Sequence, residues 1–459
     1  MDSQHALDTK DASCKTDGDL RQQAVASPLL TRRSFLAGLL GAGAAAVTGV
    51  ALTATGCSPG PTNELESIVS QGAQDATIET LNVPTENVLT SDDFQKIPVA
   101  DVLTLQRTFD LPAGCLLYQS CPSFITALVP GEKGGALIRL GFVNLETGTL
   151  TIALQQALGH DTGSVIYDAR ASETALIWVE SDFATGSWQV YLAALEGIPS
   201  AENDLAQLAQ LVDEGDQDYE PPLLCVSGSK AYWTVMPDPN GPASTADSYL
   251  KAATVFSATE ISEVSTVHTS HGRMITNPQA TSGIVTFVPR VDTSGIYYQI
   301  TALKVEDDTR VAVSILPQSM RVSDAVYMGD GFTFCTENNY DYAAGLRYFG
   351  TYEQLADGRY LHVGRMPTSA AVRWNGYLVV KSTHNVIGLD AATGQYFVID
   401  TPQNCVDYGD ILVHCGVQDK IIVYTTVANV LDSEAQSETT ATTRVRIFAA
   451  ISAEPVDNS

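Results

Sequence analysis

The sequence predicts an all-β fold, and two patterns along the chain carry this prediction. From about residue 102 to residue 451, short runs of β-branched and aromatic residues alternate with turns rich in Gly, Asp, Asn, Pro and Ser, which is the pattern of β-strands. Helical periodicity is nearly absent, with two expected short exceptions at 203–212 and 351–356. A hydrophobic content of 44% is enough for a large buried core.

The strand pattern also repeats, at intervals of roughly 45–55 residues. Each repeat has one strongly apolar run, preceded by another short strand and followed by one or two more. Four strands in about 50 residues make one blade of a β-propeller, so the repeat predicts a seven-bladed β-propeller, with six or eight blades as alternatives. The seven runs lie at 124–129, 175–179, 231–235, 284–288, 332–336, 377–380 and 421–425.

A ring of sheets has to be closed, because each sheet buries both of its faces only against two neighbours. Residues 103–109 are therefore predicted to join the last blade beside residues 444–451. The propeller domain is predicted over 102–453. Residues 58–101 begin with a Pro-Gly-Pro cluster and continue in polar residues, and they are predicted to be a flexible spacer. Residues 1–57 are predicted to be a disordered leader that ends in an apolar run.

The leader contains two adjacent arginines, Arg32 and Arg33, followed by Phe35 and Leu36 and then by a long run rich in Ala, Gly, Leu and Val that ends at Cys57. This arrangement resembles a twin-arginine (Tat) signal peptide followed by a lipobox. The resemblance implies that the Tat translocase exports the folded chain, and that Cys57 becomes a lipid-bearing N-terminus.

The lipobox departs from the family pattern at Ala54, where a larger aliphatic residue is usual. Two alternatives therefore stay open: cleavage by a general signal peptidase, with Cys57 incidental, or an uncleaved membrane anchor. Each of these interpretations places the domain outside the cytoplasm and at the membrane.

The charge of the chain excludes some classes of partner. The formal net charge is −28, and all of it lies beyond residue 57. Nucleic acids and anionic lipid headgroups are bound by clustered Lys and Arg, so neither is expected. Six cysteines follow the leader, and their pairing is left open. Cys115 with Cys121 and Cys405 with Cys415 are near enough in sequence to pair, whereas Cys225 and Cys335 are expected to be buried thiols.

Two turns add to the propeller prediction. Residues 389–395 (Leu-Asp-Ala-Ala-Thr-Gly-Gln) and 144–149 (Asn-Leu-Glu-Thr-Gly-Thr) resemble the strand-turn-strand unit of PQQ-like propeller repeats. Such repeats occur in quinoprotein dehydrogenases and in lipoprotein propellers of envelope assembly. The chain has only four Trp, at 178, 188, 233 and 374, so the repeated Trp positions of the quinoproteins are mostly missing and no cofactor is predicted.

The search for catalytic and metal sites identifies no constellation that is strong enough to assign. No Gly-x-Ser-x-Gly motif is present, and His268 and His271 lack a recognisable third ligand. Arg170, Arg373 and His414 follow or end predicted first strands, which in propellers line the central channel. They are candidates for contact with a ligand there, although ordinary polar residues are also expected along a wet channel.

The sequence therefore predicts a membrane-anchored extracytoplasmic lipoprotein whose propeller binds or scaffolds a protein of the envelope or of the extracellular space. The alternative is an enzyme that uses the central channel, such as a quinoprotein-like oxidoreductase or a glycan-cleaving enzyme. Enzymatic activity is left open, with binding favoured.

Overall fold

The computed structural model describes residues 77–118, 121–131, 137–196, 205–292, 295–336, 349–364, 371–429 and 440–451. The leader, with Arg32, Arg33, Phe35, Leu36 and Cys57, lies outside the described residues, as do residues 58–76. The regular secondary structure of the described part consists almost entirely of β-strands, so the prediction of an all-β propeller is confirmed.

Four short 3-10 helices and one helical turn are described between Thr77 and Gly215. The 3-10 helices are Thr85–Asn87, Ser91–Asp93, Val99–Asp101 and His160–Thr162, and the helical turn is α1 (Leu205–Leu208). The strands are β1 (Thr77–Thr80), β2 (Val88–Leu89), β3 (Gln95–Lys96), β4 (Leu103–Pro112), β5 (Leu116–Tyr118), β6 (Phe124–Pro130), β7 (Leu137–Asn144), β8 (Leu150–Leu154), β9 (Val165–Ala171), β10 (Ala175–Ser181), β11 (Trp188–Ala194) and β12 (Gln210–Gly215).

The remaining strands follow without a described helix between them. They are β13 (Tyr219–Ser227), β14 (Lys230–Pro237), β15 (Ser248–Ser257), β16 (Glu260–Ile261), β17 (Ser265–Ser270), β18 (Gln279–Thr281), β19 (Ile284–Phe287), β20 (Gln299–Lys304), β21 (Arg310–Ile315), β22 (Asp324–Tyr327), β23 (Phe332–Thr336), β24 (Gly350–Gln354), β25 (Tyr360–Gly364), β26 (Val372–Trp374), β27 (Tyr377–Lys381), β28 (Val386–Asp390), β29 (Gln395–Ile399), β30 (Ile411–Leu412), β31 (Gly416–Val417), β32 (Ile421–Asn429) and β33 (Thr440–Ala450).

Hydrogen bonds join these strands into seven sheets. In chain order, sheet 1 is β5–β8, sheet 2 is β9–β12, sheet 3 is β13–β17, sheet 4 is β18–β21, sheet 5 is β22–β25, sheet 6 is β26–β29 with β31, and sheet 7 is β30, β32, β33 and β4. Each apolar run that the sequence analysis singled out is the second strand of its own sheet (β6, β10, β14, β19, β23, β27 and β32). These runs are apolar on consecutive residues because both faces of each sheet are buried.

Clusters of buried apolar side chains fill the space between neighbouring sheets. One large cluster joins sheets 1, 2 and 3, and further clusters join sheet 3 to 4, 4 to 5, 5 to 6 and 6 to 7. Another joins sheet 7 back to sheet 1, through side chains such as Ile422 and Ile125. The core is therefore divided among the sheet interfaces, and the series of interfaces returns to its starting point.

The predicted closure of the ring is confirmed. Strand β4 from the N-terminal side pairs antiparallel with β33 from the C-terminal side, from Leu103 opposite Ala450 to Pro112 opposite Thr442. Arg444 supports this pairing, because its Nε and Nη2 donate to the carboxylate of Asp110 at 2.8 and 2.9 Å.

The prediction of a flexible spacer over 58–101 is wrong for residues 77–101. This segment runs along the outer edges of three consecutive sheets, where β1 pairs parallel with β21, β2 with β25 and β3 with β29. The physical reason is that the outermost strand of a sheet has unpaired backbone N–H and C=O groups, which an added strand satisfies.

Both expected helices are also corrected. Of the first segment, residues 203–212, the described residues begin at 205; among them Leu205–Leu208 is helical, and Gln210–Gly215 forms strand β12 on β11. Residues 351–356 lie mostly in strand β24, which pairs with β23 and β25. In both segments, pairing with a neighbouring strand outweighs the local helical preference.

The alternation of strand direction gives the ring two faces. The lower face, as defined here, carries the turns between first and second strands and between third and fourth strands. The upper face carries the loops between second and third strands and the loops that lead from each sheet to the next. The turn of residues 391–394 belongs to the lower face, and the loop of residues 400–410 to the upper face.

Candidate functional site

The first strands of the sheets converge on the axis of the ring, and Arg170 on β9 lies there. Its Nη1 is bonded to Oδ1 of Asp168, two residues earlier in the strand, and donates to the backbone oxygen of Ala169 at 2.7 Å. The guanidinium also lies over the ring of Tyr118 on β5, 3.7 Å from the ring centroid. Asp168 is completely buried. The cation is therefore neutralised by one carboxylate and stacked on one aromatic ring.

Residues 413–418, called here the axial segment, follow β30 of sheet 7 and cross the axis. After β30 the chain leaves its own sheet, and β31 pairs parallel with β26 of sheet 6, with Gly416 opposite Val372. In the same segment Cys415 Sγ donates to Oε1 of Gln279 at 3.3 Å. Gln279 begins the first strand of sheet 4, which is on the other side of the ring from sheet 7. The axial segment therefore spans the centre of the propeller.

Gly416 allows this close approach. Its φ is +76°, and a Cβ at this position would lie 2.0 Å from Oγ1 and 2.3 Å from Cβ of Thr281 on β18. Backbone from sheet 7 therefore packs directly against a side chain of sheet 4, which closes the axis at this level.

Polar side chains surround the axial segment and bond to it or to each other. Gln279 Nε2 donates to Oδ1 of Asp324 on β22 at 3.1 Å, and Gln418 Nε2 donates to the backbone oxygen of Cys415 at 2.7 Å. Burial lowers the pKa of His414 to about 3, so this imidazole is neutral at pH 7. Burial raises the pKa of Cys415 to about 12, which keeps it a thiol rather than a nucleophilic thiolate.

The structure places the three predicted channel residues at two different positions. Arg170 and His414 lie in the buried axial region, and the former is stacked and ion-paired there. Arg373 instead bridges sheets 5 and 6. Its Nε and Nη2 donate to Oε1 of Glu353 on β24 at 3.0 and 2.5 Å, and its Nη1 donates to Oδ1 of Asp330 at 2.6 Å. The first strands that carry these residues are found largely as predicted, whereas a role in ligand binding stays a prediction.

Several axial residues were missed by the sequence analysis. Asp168 had a usable signal, because residues two apart in a strand point to the same face and this one precedes Arg170 by two positions. Tyr118, Gln279, Asp324 and Cys415 come from four other sheets. No local pattern brings them together, because only the closure of the ring does so.

The two histidines considered as metal ligands have separate surroundings. His268 packs its ring against Phe287, with centroids 5.2 Å apart, and burial lowers its pKa to about 4. His271 is exposed and pairs with Asp247 at 3.2 Å. Within the described ranges, no group of three or more His, Cys, Asp or Glu residues is arranged to hold a metal ion.

Within the described residues no disulfide joins any of Cys115, Cys121, Cys225, Cys335, Cys405 and Cys415, so neither suggested pairing is formed. Cys115 packs between sheets 7 and 1, whereas Cys121 packs between sheets 1 and 2. Cys405 contacts Asp407 and Thr425 in an upper loop, whereas Cys415 lies in the axial segment and donates to Gln279. Proximity in sequence did not bring the sulfur atoms of Cys115 and Cys121 together, because sheet 1 lies between them.

The upper face has large apolar side chains exposed on several loops. They are Phe183, Ile296, Phe349, Val406 and Tyr408. None of the helices in the part of the chain that the structure describes is long and apolar enough to cross a membrane.

No protein-family model and no curated protein matches the chain. Among solved structures, a prolyl endopeptidase aligns with a TM-score of 0.45 and 12% identity, over 71% of this chain and 45% of that one. This chain therefore spans less than half of that enzyme. The β-propeller domain of the Trilobed protease from Pyrococcus furiosus aligns with a TM-score of 0.41 and 9% sequence identity, over 68% of this chain and 91% of that one. BamB from Moraxella catarrhalis aligns with a TM-score of 0.38 and 11% sequence identity, over 76% of this chain and 100% of that one.

Proposed function

We propose that the chain is a lipid-anchored extracytoplasmic protein whose β-propeller binds or scaffolds another protein of the envelope or of the extracellular space. The observation that carries this proposal is the packed axis. The axial segment reaches from sheet 7 to Gln279 and Thr281 of sheet 4, and Arg170 is already bonded and stacked. The loop faces are then the surfaces left for function, and loops on a rigid scaffold are common binding sites.

We also propose that the propeller has seven blades. We take each of the seven hydrogen-bonded sheets as one blade, with the seventh completed by β4. The buried clusters between successive sheets support this count. An experimental structure with six or eight sheets around the axis would contradict it.

A pull-down from detergent-solubilised membranes tests the binding function. The tagged full-length protein is expected to recover a protein partner in a stoichiometric amount. The propeller enzyme is the competing hypothesis, and the axial set of Arg170, Asp168 and Tyr118 is the feature that favours it. Turnover of a small molecule without any stoichiometric partner would support the enzyme and contradict the scaffold.

The lipid anchor is tested by Cys57→Ala. The variant is expected to move from the membrane fraction to the soluble extracytoplasmic fraction, because a lipidated cysteine is the proposed attachment. Export itself is proposed to depend on Arg32, Arg33, Phe35 and Leu36, which the substitution leaves intact. Cys14→Ala is the matched control, since this cysteine lies earlier in the leader and its loss should leave the protein on the membrane. Retention of the Cys57→Ala variant on washed membranes would disprove the anchor.

A further inference from the structure

The loop of residues 400–410 differs from its neighbours in what it exposes. It joins β29 of sheet 6 to β30 of sheet 7 on the upper face. Val406 is 58% exposed and Tyr408 is 54% exposed. Single exposed apolar residues are normal on protein surfaces. Here two large ones flank a single partly buried residue, Asp407.

Asp407 holds the tip of the loop to sheet 7. Its carboxylate accepts hydrogen bonds from Thr425 Oγ1 at 2.6 Å, the backbone N–H of Thr426 at 2.6 Å, the backbone N–H of Gly409 at 3.0 Å and Cys405 Sγ at 3.1 Å. The backbone adds one more bond, from the N–H of Val406 to the oxygen of Thr426 at 3.0 Å. The conformation of both flanking residues is therefore determined by β32.

Sheet 6 holds the loop from the other side. The buried Lys381 donates from Nζ to the backbone oxygens of Tyr408 at 2.8 Å and Asp410 at 2.7 Å. Gly409 lies so close to the backbone that a Cβ there would be 2.0 Å from the oxygen of His384. Bonds from two sheets thus order a loop whose two largest apolar side chains contact solvent.

An ordered loop that exposes large apolar side chains has the properties of an interface anchor. Ordering a loop or side chain on binding reduces affinity, and a loop that is already ordered avoids this cost. Tyrosine is enriched among the residues that dominate interface energies, because it is large, rigid and able to hydrogen-bond. The polar bonds of the 400–410 loop also hold the buried Gly409 and Asp410 in place, but the side chains of Val406 and Tyr408 that lie between the bonded groups stay exposed.

The point at which the N-terminal segment reaches the domain favours the same face. Strand β1 begins at Thr77, opposite Ala312 near the start of β21. The start of β21 follows the turn of residues 305–309, which belongs to the lower face. The described chain therefore begins on the lower-face side of sheet 4, and a membrane tether that precedes Thr77 would leave the upper face directed toward other proteins.

We propose that Val406 and Tyr408 anchor a partner protein on the upper face, and that the partner has an apolar pocket bordered by Lys or Arg. The exposed Asp400 and the partly buried Asp407 belong to the same loop as the anchor, and the chain as a whole carries a net charge of −28. An acidic partner would be repelled, whereas a basic border gives complementary potentials. This inference rests on the proposed binding function and specifies the surface that performs it.

The test uses the full-length lipidated protein and the partner recovered by the wild-type pull-down. Tyr408→Ala is expected to weaken binding of that partner by about 30-fold, the effect of a dominant interface residue. Tyr408→Phe, which keeps the ring, is expected to lose much less. Phe256→Ala is the matched control, because Phe256 is 64% exposed on the lower side of sheet 3 and its removal should change affinity less than twofold. A photo-crosslinking residue in place of Tyr408 is expected to capture the same partner, and in place of Phe256 to capture none.

The outcomes separate this inference from the proposed function. If the wild-type protein recovers a partner and Tyr408→Ala binds it equally well, the anchor is disproved while the scaffold stands. Capture from position 256 and not from 408 would also overturn the anchor. Recovery of no partner at all would overturn both. An unchanged thermal unfolding temperature of Tyr408→Ala, expected for an exposed residue, confirms that lost binding is not lost folding.

Discussion

Arg373→Met is expected to destabilise the domain by about 3–5 kcal/mol at pH 7, because it removes the cation from a buried ion pair. Glu353 is only 2% exposed, and both of the donors that reach its Oε1 at 3.0 and 2.5 Å come from Arg373. The apolar side chain would leave a carboxylate buried between sheets 5 and 6. Urea unfolding, followed by tryptophan fluorescence, measures the loss.

The loss of stability caused by Arg373→Met is expected to increase with pH. Burial raises the pKa of Glu353 above its ordinary value of 4.5, while Arg373 opposes this rise. Without the guanidinium the folded-state pKa rises further. A carboxyl group whose pKa is higher in the folded than in the unfolded state loses stabilising free energy as the pH rises above the unfolded value. The variant should therefore come closest to wild type below about pH 4.5, where Glu353 is protonated in both, and lose stability relative to wild type as the pH rises above the raised folded-state pKa of the wild-type carboxyl.

Two further variants separate burial from charge. Arg359→Met removes an ion pair with Asp357 of similar length, 2.7 Å, but both side chains are about half exposed, so its effect on stability should be far smaller than that of Arg373→Met. Adding Glu353→Leu to Arg373→Met should recover most of the loss, since no charge then stays buried. A deficit that is equal at pH 4 and pH 7 would contradict the assignment to Glu353.

Gly416→Ala is expected to destabilise the domain by about 2–5 kcal/mol, from a left-handed backbone conformation and a steric clash together. The φ of +76° is unfavourable for any residue with a Cβ, and that Cβ would lie 2.0 Å from Thr281 Oγ1. The two costs can be told apart by a second glycine. Gly394 has a φ of +67° with no atom within 4 Å of a built Cβ, so Gly394→Ala should cost only the backbone part, about 1–2 kcal/mol.

The difference between these two alanine variants measures the packing of the axial segment against sheet 4. Both are compared by urea unfolding at one pH and temperature. Equal losses would mean that residue 416 has room beside Thr281, and that the axis is open where the structure closes it. Such a result would also remove the main support for a scaffold over a channel enzyme.

The sequence predicted the repeated strands well, because their signals are local. The runs that became β6, β10, β14, β19, β23, β27 and β32 are apolar on consecutive residues and are bounded by turn residues. The turn before Gln395 has the expected form: Asp390 accepts from the N–H of Ala392 and the hydroxyl of Thr393, at 2.9 and 2.7 Å, and Gly394 supplies the positive φ. A similar turn at Asp182, with Thr185 and Gly186, was not recognised in advance.

The segments that the sequence misassigned are those whose structure depends on a partner. Strands β1, β2 and β3 are two to four residues long, too short for a periodic pattern. They form because the outer edges of sheets 4, 5 and 6 offer unpaired backbone groups. Strand β24 likewise lies between two strands of sheet 5, which outweighs the helical preference of its residues.

The sequence by itself therefore determined the all-β class and the positions of the repeated strands, because strand and turn preferences act between residues close in the chain. It also indicated the pairing of β4 with β33, because a closed ring of sheets requires its first and last strands to meet. Only the tertiary structure decided that Arg170 is stacked on Tyr118, that the axial segment reaches Gln279, and that Arg373 pairs with Glu353 instead of facing the axis. These contacts join residues from different sheets, and their distances are set by how the sheets pack around the ring.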